Sequence, residues 1–203
     1  MTVLARLFRT SGGASAVEFA LVLPLLILLL LGIIDAGRFM WNYNQAEKAT
    51  QMGVRYAVAT DLVPVGMKEY SFALDGGIIA GQPVPTSSFD RAICNDVDCD
   101  DCTPGGGLCS AIGYDGVAFR NIVDRMELMY PSINDDNVTI EYRNVGLGFA
   151  GDPSGSDVAT LVTVRLDGLT FQPLTTLFLG TSLPMPDFSA ALTLEDGIDA
   201  ISN

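Results

Sequence analysis

The 203 residues leave room for one membrane segment and one modest globular domain, but not for two enzyme-sized domains. A formal charge of −13, with no run of Lys or Arg, removes the electrostatic basis for binding nucleic acid. Histidine is absent, which takes away the commonest general base and metal ligand, and no spacing of Ser, Asp and Lys pairs a nucleophile with an activating base. The expectation is a non-enzymatic protein without a cofactor or a catalytic metal.

The first element is the apolar stretch RTSGGASAVEFALVLPLLILLLLGIID, Arg9 to Asp35. Phe19 to Ile34 is a run of 16 uncharged residues, and Ala14 to Ile34 contains one charge in 21 positions, Glu18. At about 1.5 Å per residue this segment reaches about 31 Å, enough to cross the hydrocarbon core of a bilayer. Arg6 and Arg9 precede it and an acidic chain follows, so the positive-inside rule leaves the N-terminus in the cytoplasm and exports the rest. Phe39, Trp41 and Tyr43 stand where an interfacial aromatic belt belongs. The run is longer than the roughly 7 to 15 apolar residues of a cleaved secretory signal. A carboxylate in hydrocarbon is costly, so Glu18 calls for a partner, although the partial positive charge of a helix N-terminus also favours it. Pro24 removes the amide that would bond the Ala20 carbonyl, so a kink or local melting is expected there.

Beyond the span, Phe39, Tyr43, Ala46, Gly53 and Ala57, bridged by Ala49 or Thr50, recur at helical spacing. Gln45, Lys48, Gln51 and Arg55 fall on the polar side. The small residues permit close packing of this outer half against the chain's own globular domain. Asp61 and Pro64 mark the helix end.

The next feature is CNDVDCDDCTPGGGLC, a loop holding all four cysteines, Cys94, Cys99, Cys102 and Cys109. An even number of exported cysteines in a Gly- and Asp-rich loop predicts two disulfides, with three pairings open and a ring between Cys99 and Cys102 the tight, redox-like one. The spacing lacks the paired short knuckles of a zinc ribbon. Asp96, Asp98 and Asp100 begin like a calcium loop, but Asp101 stands at the turn-glycine position and Gly107 at that of the bidentate glutamate. Further on, Phe119, Ile122, Val123, Met126 and Tyr130 predict a helix over Tyr114–Tyr130, capped by Asp115 and stopped by Pro131. Alternation then predicts strands around Val138, Ile140 and Tyr142, around Val162, Val164 and Leu166, and less strictly around Phe188, Ala190, Leu192 and Leu194. DPSGS, Asp152 to Ser156, looks like the metal motif of von Willebrand type A domains. Only 47 residues follow it, too few for the rest of such a domain, and a Pro/Gly/Ser turn accounts for it.

GGASAVEFALVLPLLILLLLGIIDAGRFMWNYNQAEKATQMGVRYA resembles the N-terminal segment of the TadE-like family, pilin-like assembly proteins of tight-adherence (Tad) pili related to type IV pilins. The resemblance implies cleavage by a prepilin peptidase between Gly13 and Ala14. Glu18 then becomes the fifth residue of the product and Phe19 the sixth, the positions used in assembly. A new ammonium at Ala14 would give Glu18 of a neighbouring subunit its counter-charge. The expected fold is α+β and pilin-like: a long N-terminal transmembrane helix packed on a small antiparallel sheet domain with a further helix. The expected organisation is a leader over 1–13, a transmembrane segment over 14–34, a helical stem over 35–60 and an exported globular domain over 61–203. The expected role is a minor subunit or assembly factor in pilus biogenesis and surface adhesion. The expected partners are the prepilin peptidase, other pilin-like subunits, pilus assembly components and membrane lipid. Its place would be the inner membrane, crossed once, with the C-terminal domain extracytoplasmic or carried into a pilus. The rival expectation is an uncleaved, membrane-anchored adhesion module.

Overall fold

The computed structural model describes residues 14–153, 156–176 and 180–194, with side chains from Ala16 onward. The order of elements is α1 (Ala14–Ala57), β1 (Pro64–Val65), β2 (Arg91–Cys94), β3 (Asp101–Thr103), α2 (Leu108–Ala111), β4 (Gly113–Tyr114), α3 (Gly116–Glu127), β5 (Val138–Asn144), β6 (Thr160–Leu166), β7 (Thr170–Phe171), β8 (Leu183–Pro184) and β9 (Phe188–Thr193). The class is α+β, with a long apolar helix, antiparallel sheets and further helices. The chain divides into two compact units, one of residues up to Asn42 together with Thr170–Leu183, the other of Tyr43–Leu169 with the chain from Pro184 on.

In the first unit α1 runs through Pro24 as one helix. From Val17 to Leu30 its large apolar side chains are exposed. Asp35, one residue beyond the run, is 7% exposed. Its carboxylate accepts hydrogen bonds from the amides of Leu174 at 2.6 Å and Thr175 at 2.8 Å, while Arg38 pairs with it at 3.3 Å. Burial alone would raise its pKa, but these donors outweigh it and hold the carboxyl below its ordinary value. Phe171 meets Phe39 edge-on with ring centres 5.4 Å apart, and the Arg38 guanidinium lies over the Phe171 ring.

The second unit is built on a five-stranded antiparallel sheet in the order β3-β2-β5-β6-β9. Alternation sorts its residues by face. Val138, Ile140, Tyr142 and Asn144 of β5 and Val162, Val164 and Leu166 of β6 are buried. Helix α3 contributes Phe119, Ile122, Val123 and Met126, with Tyr130 just beyond it, and the outer part of α1 contributes Ala46, Ala49, Thr50, Val54 and Ala57. Gly53 sets how closely these layers meet. A Cβ there would stand 2.6 Å from Met126 Sδ and 3.4 Å from Val164 Cγ1. Tyr43 packs edge-on against Phe188.

Buried polar groups fix the loops. Asn144 donates through its side-chain amide to the carbonyls of Val84 and Phe89 and accepts from Gly146 N. Asp157, 4% exposed, accepts from the amides of Phe72 at 2.7 Å and Asp152 at 3.0 Å. The Tyr142 hydroxyl accepts from Val63 N, and its burial pushes its pKa up. On the other sheet face, Glu141 is 3% exposed and accepts from Arg143 Nε at 2.8 Å and from Arg165 Nη2 at 2.7 Å. Burial works to raise its pKa, but the two guanidiniums prevail and lower it.

The helix over Tyr114–Tyr130 forms as Gly116–Glu127, and the Asp115 side chain accepts from Val117 N and Ala118 N at its start. Three details differ from expectation. Helix α1 stops at Ala57, four residues before Asp61. The cysteine stretch, read as a loop, supplies an edge hairpin, because Arg91–Ile93 pair with Asp101–Thr103. In β9, Leu192 is 39% exposed although its neighbour Leu194 is buried, since β9 is an edge strand paired only with β6.

Two outcomes are expected. Gly53→Leu should lower the unfolding free energy by about 2 kcal/mol, because overpacking must displace Met126 and Val164. Gly53→Ala should be nearly neutral, its gain of about 1 kcal/mol in helix propensity offsetting a contact that Met126 can relieve. Denaturant unfolding of both in detergent distinguishes these costs. Glu141→Gln should cost about 1–2 kcal/mol at neutral pH, from the loss of charge-assisted hydrogen bonds. A lowered folded-state pKa means this contribution is present above the unfolded value of about 4.3 and disappears as pH falls through the folded value. The stability gap between wild type and Glu141→Gln should therefore begin to shrink below about pH 5 and go on shrinking as pH falls through the lowered folded-state value. A gap constant over that range would show that the carboxylate's charge is not what stabilises.

Candidate functional site: the apolar stem and the stapled hairpin

Helix α1 is long and apolar enough to cross a membrane, which among the described residues no other helix is. Sixteen residues after Glu18 pass without a charge because Leu, Ile and Val dominate them, and such residues sustain a helix wherever the surroundings are apolar. Of the assembly residues named from sequence, Glu18 and Phe19 are both exposed, Phe19 at 63%. Ala14 is the first described residue of α1, one helical turn before Glu18, and Gly13 lies outside the described residues. Glu18 thus stands beyond the first turn, where the partial charge of a helix end has largely faded.

The four cysteines form two disulfides, Cys94–Cys99 and Cys102–Cys109. The tight Cys99–Cys102 ring does not form. The reason is local: Cys94 closes β2, and Asn95 Oδ1 then accepts from Val97 N and Asp98 N, folding the chain back so that Cys99 reaches Cys94. Cys102 is in β3 opposite Ala92, and the turn through Gly105–Gly107 returns Cys109 to it at the start of α2. Gly106 and Gly107 both have positive φ, which suits glycine and few other residues. Each ring is short, and the chain-entropy model assigns each about 2 kcal/mol.

The hairpin end is acidic. Tyr114 is half-buried, and burial followed by the charges of Asp96, Asp135, Asp98 and Asp115 pushes its hydroxyl above its usual pKa. Arg120 is held by Asp124, Glu127 and Asp135, which raise its pKa. Of the Asp152–Ser156 stretch, residues 154 and 155 lie outside the described residues; on either side of them Ser156 Oγ donates to the Met67 carbonyl and the Asp152 amide donates to Asp157. Asp35 and Asp157 escaped sequence reasoning. Their only sequence signal was an aspartate immediately ending an apolar run and another inside a Gly/Ser turn, and neither spacing reveals a partner more than 80 residues away.

Fold and stem together define an α+β protein with one helix able to anchor it in a membrane. Its N-terminal segment is TadE-like: the family model described as TadE-like protein matches residues 13–55, from Gly13 through Glu18 almost to the end of α1. The match covers this N-terminal segment alone, which is similar to that family, and it supports a Tad-pilus-related role. No curated protein and no solved structure matches the chain.

The pairing makes a direct forecast. Thiol labelling of the unreduced, denatured protein should modify none of the four cysteines. An Asp-specific protease cutting before Asp100 or Asp101 should release the Cys94/Cys99 peptides separately from the Cys102/Cys109 peptide without reductant. Any disulfide-linked species joining the two groups in the mass spectrum would contradict the pairing.

Proposed function

We propose that the chain is a pilin-like minor subunit or assembly factor of a Tad-type pilus, cut by a prepilin peptidase between Gly13 and Ala14. It then sits in the inner membrane as a single-pass protein with its domain outside the cytoplasm, from where it joins other pilus components and contributes to pilus biogenesis and adhesion. Residues 1–13 act as leader, 14–34 as membrane span, 35–60 as stem and 61–203 as exported domain. The observation that carries this reading is the TadE-like match over residues 13–55, which begins at the glycine before the inferred cut and includes the lone charge of the stem, Glu18.

The mechanism follows from charge. Cleavage creates an ammonium at Ala14, largely protonated at neutral pH since such amines titrate near about 7.7. Glu18 of one subunit and the Ala14 ammonium of the next are each costly alone in an apolar contact, and paired they favour a single axial register. The exposure of the stem from Val17 to Leu30 leaves that surface free for lipid before assembly and for neighbouring stems afterwards.

In cells with an active prepilin peptidase, the mature protein should begin at Ala14. Recovery of full-length chains alone would support the uncleaved anchor instead. Glu18→Gln keeps size and polarity but removes the charge, so the protein should still be cleaved and inserted, yet co-purify with other pilus components at least about tenfold less, as expected for an unpaired buried charge. Normal incorporation of the cleaved variant would eliminate the charge-pairing mechanism.

A further inference from the structure

The longest uncharged stretch of this chain is not the stem. Residues 168–186, GLTFQPLTTLFLGTSLPMP, run for 19 positions without a charge, against 16 in the stem. In a chain that is 17% charged, a water-exposed segment of that length would be expected to carry about three charges. The structure ties part of this stretch to one place. Asp35 follows the last residue of the apolar run, Ile34, and its carboxylate holds the amides of Leu174 and Thr175. Arg38 donates to the Gln172 carbonyl, and Phe171 packs on Phe39. Segment and stem are thereby joined at the level where the stem turns from apolar to polar.

Large apolar side chains are exposed at that level, beside Arg38 and Gln172. Leu174 is 46% exposed and Leu183 48%, and on the adjoining turns of α1 Met40 is 57% and Trp41 66% exposed. Between stem and segment lies an open groove of about 300 Å³, lined by Gly32, Ala36, Phe39, Phe171, Pro173 and Leu183. Exposed apolar surface continuous with a membrane-spanning run, with Arg38 as a cation at headgroup level and a Trp one to two turns above the run's end, fits the boundary of headgroups and acyl chains. The clamp suits that location, since Asp35 satisfies two backbone donors that would find little water there.

We propose that the described residues 170–176 and 180–183 form a second membrane contact, lying in the headgroup and upper acyl region of the leaflet from which α1 emerges, with the Asp35 carboxylate as the clamp that holds residues 174 and 175 at that depth. This rests on α1 spanning the bilayer. The contact gives the anchored protein two points of attachment, which restricts its rotation about the stem. Extraction from the membrane for assembly would then require removing this segment as well as the stem.

The test uses the full chain reconstituted in phosphatidylethanolamine/phosphatidylglycerol vesicles containing lipids spin-labelled on the upper acyl chain or, in a parallel preparation, near the chain end. Trp41 is the sole tryptophan, so Trp41→Phe provides a silent background for three probes: Leu174→Trp, Leu26→Trp in the stem, and Leu74→Trp at a site 86% exposed. Leu174→Trp should be quenched several-fold more strongly than Leu74→Trp, and adding Asp35→Ala should bring it near the Leu74→Trp level while Leu26→Trp stays unchanged. If Leu26→Trp reports lipid from deep labels but Leu174→Trp does not report shallow ones, the second contact is refuted and the span stands. If neither reports lipid, both fall. A Leu174→Trp probe shielded from lipid labels and from aqueous acrylamide alike would assign the surface to a protein partner and overturn the proposal. Quenching at 174 that survives Asp35→Ala would refute the clamp.

Discussion

An uncharged run of 16 residues, fully helical and with its large side chains exposed, imposes the condition that everything else in this protein answers to. Removing that much apolar surface from water far outweighs any single polar contact in the chain. Such a surface is compatible with anchoring in a membrane, which would supply apolar surroundings. Each charged group near the stem becomes informative for the same reason. Glu18 at one end has no basic residue within reach on its own helix, and Asp35 at the other end is consumed by the amides of Leu174 and Thr175. The Asp35 carboxylate is thus satisfied within the fold, whereas Glu18 is exposed.

Beyond Asn42 the same helix changes its task without breaking. Ala46, Ala49, Gly53 and Ala57 replace leucines along one face, and the sheet and α3 close upon it until Met126 and Val164 nearly meet the backbone at Gly53. Small residues make close approach possible, and close approach buries the larger side chains of α3, β5 and β6. A single continuous helix thereby serves an apolar environment along one part of its length and a protein core along the other.

The domain's charged groups are managed by pairing. Glu141 is shielded by two arginines, Asp157 by two backbone amides, and Arg120 by three carboxylates. In a chain of net charge −13, one acidic group gathers by the stapled hairpin, where Asp96, Asp98, Asp115 and Asp135 surround Tyr114. Short disulfide rings hold that end in shape, where the strands β2 and β3 are too brief to do so alone.

What the sequence determined by itself was whatever depends on neighbours close along the chain. The stem follows from an uninterrupted apolar composition, α3 from its 3.6-residue pattern and the Asp115 cap, and β5 and β6 from strict alternation, because each has one buried face whose period is written locally. The presence of two disulfides followed from cysteine count and expected compartment, but three pairings stayed open until the Asn95 turn and the β2–β3 register brought Cys94 to Cys99 and Cys102 to Cys109. Helix α1 ends before Asp61 and β9 exposes Leu192 because strand partners and edges are set by the assembled sheet. Asp35 and Asp157 were beyond sequence reasoning altogether. Each has a backbone-amide partner 85 to 140 residues distant, and an amide has no letter of its own in a sequence, so only the tertiary fold could decide which carboxylates would be buried and what would satisfy them.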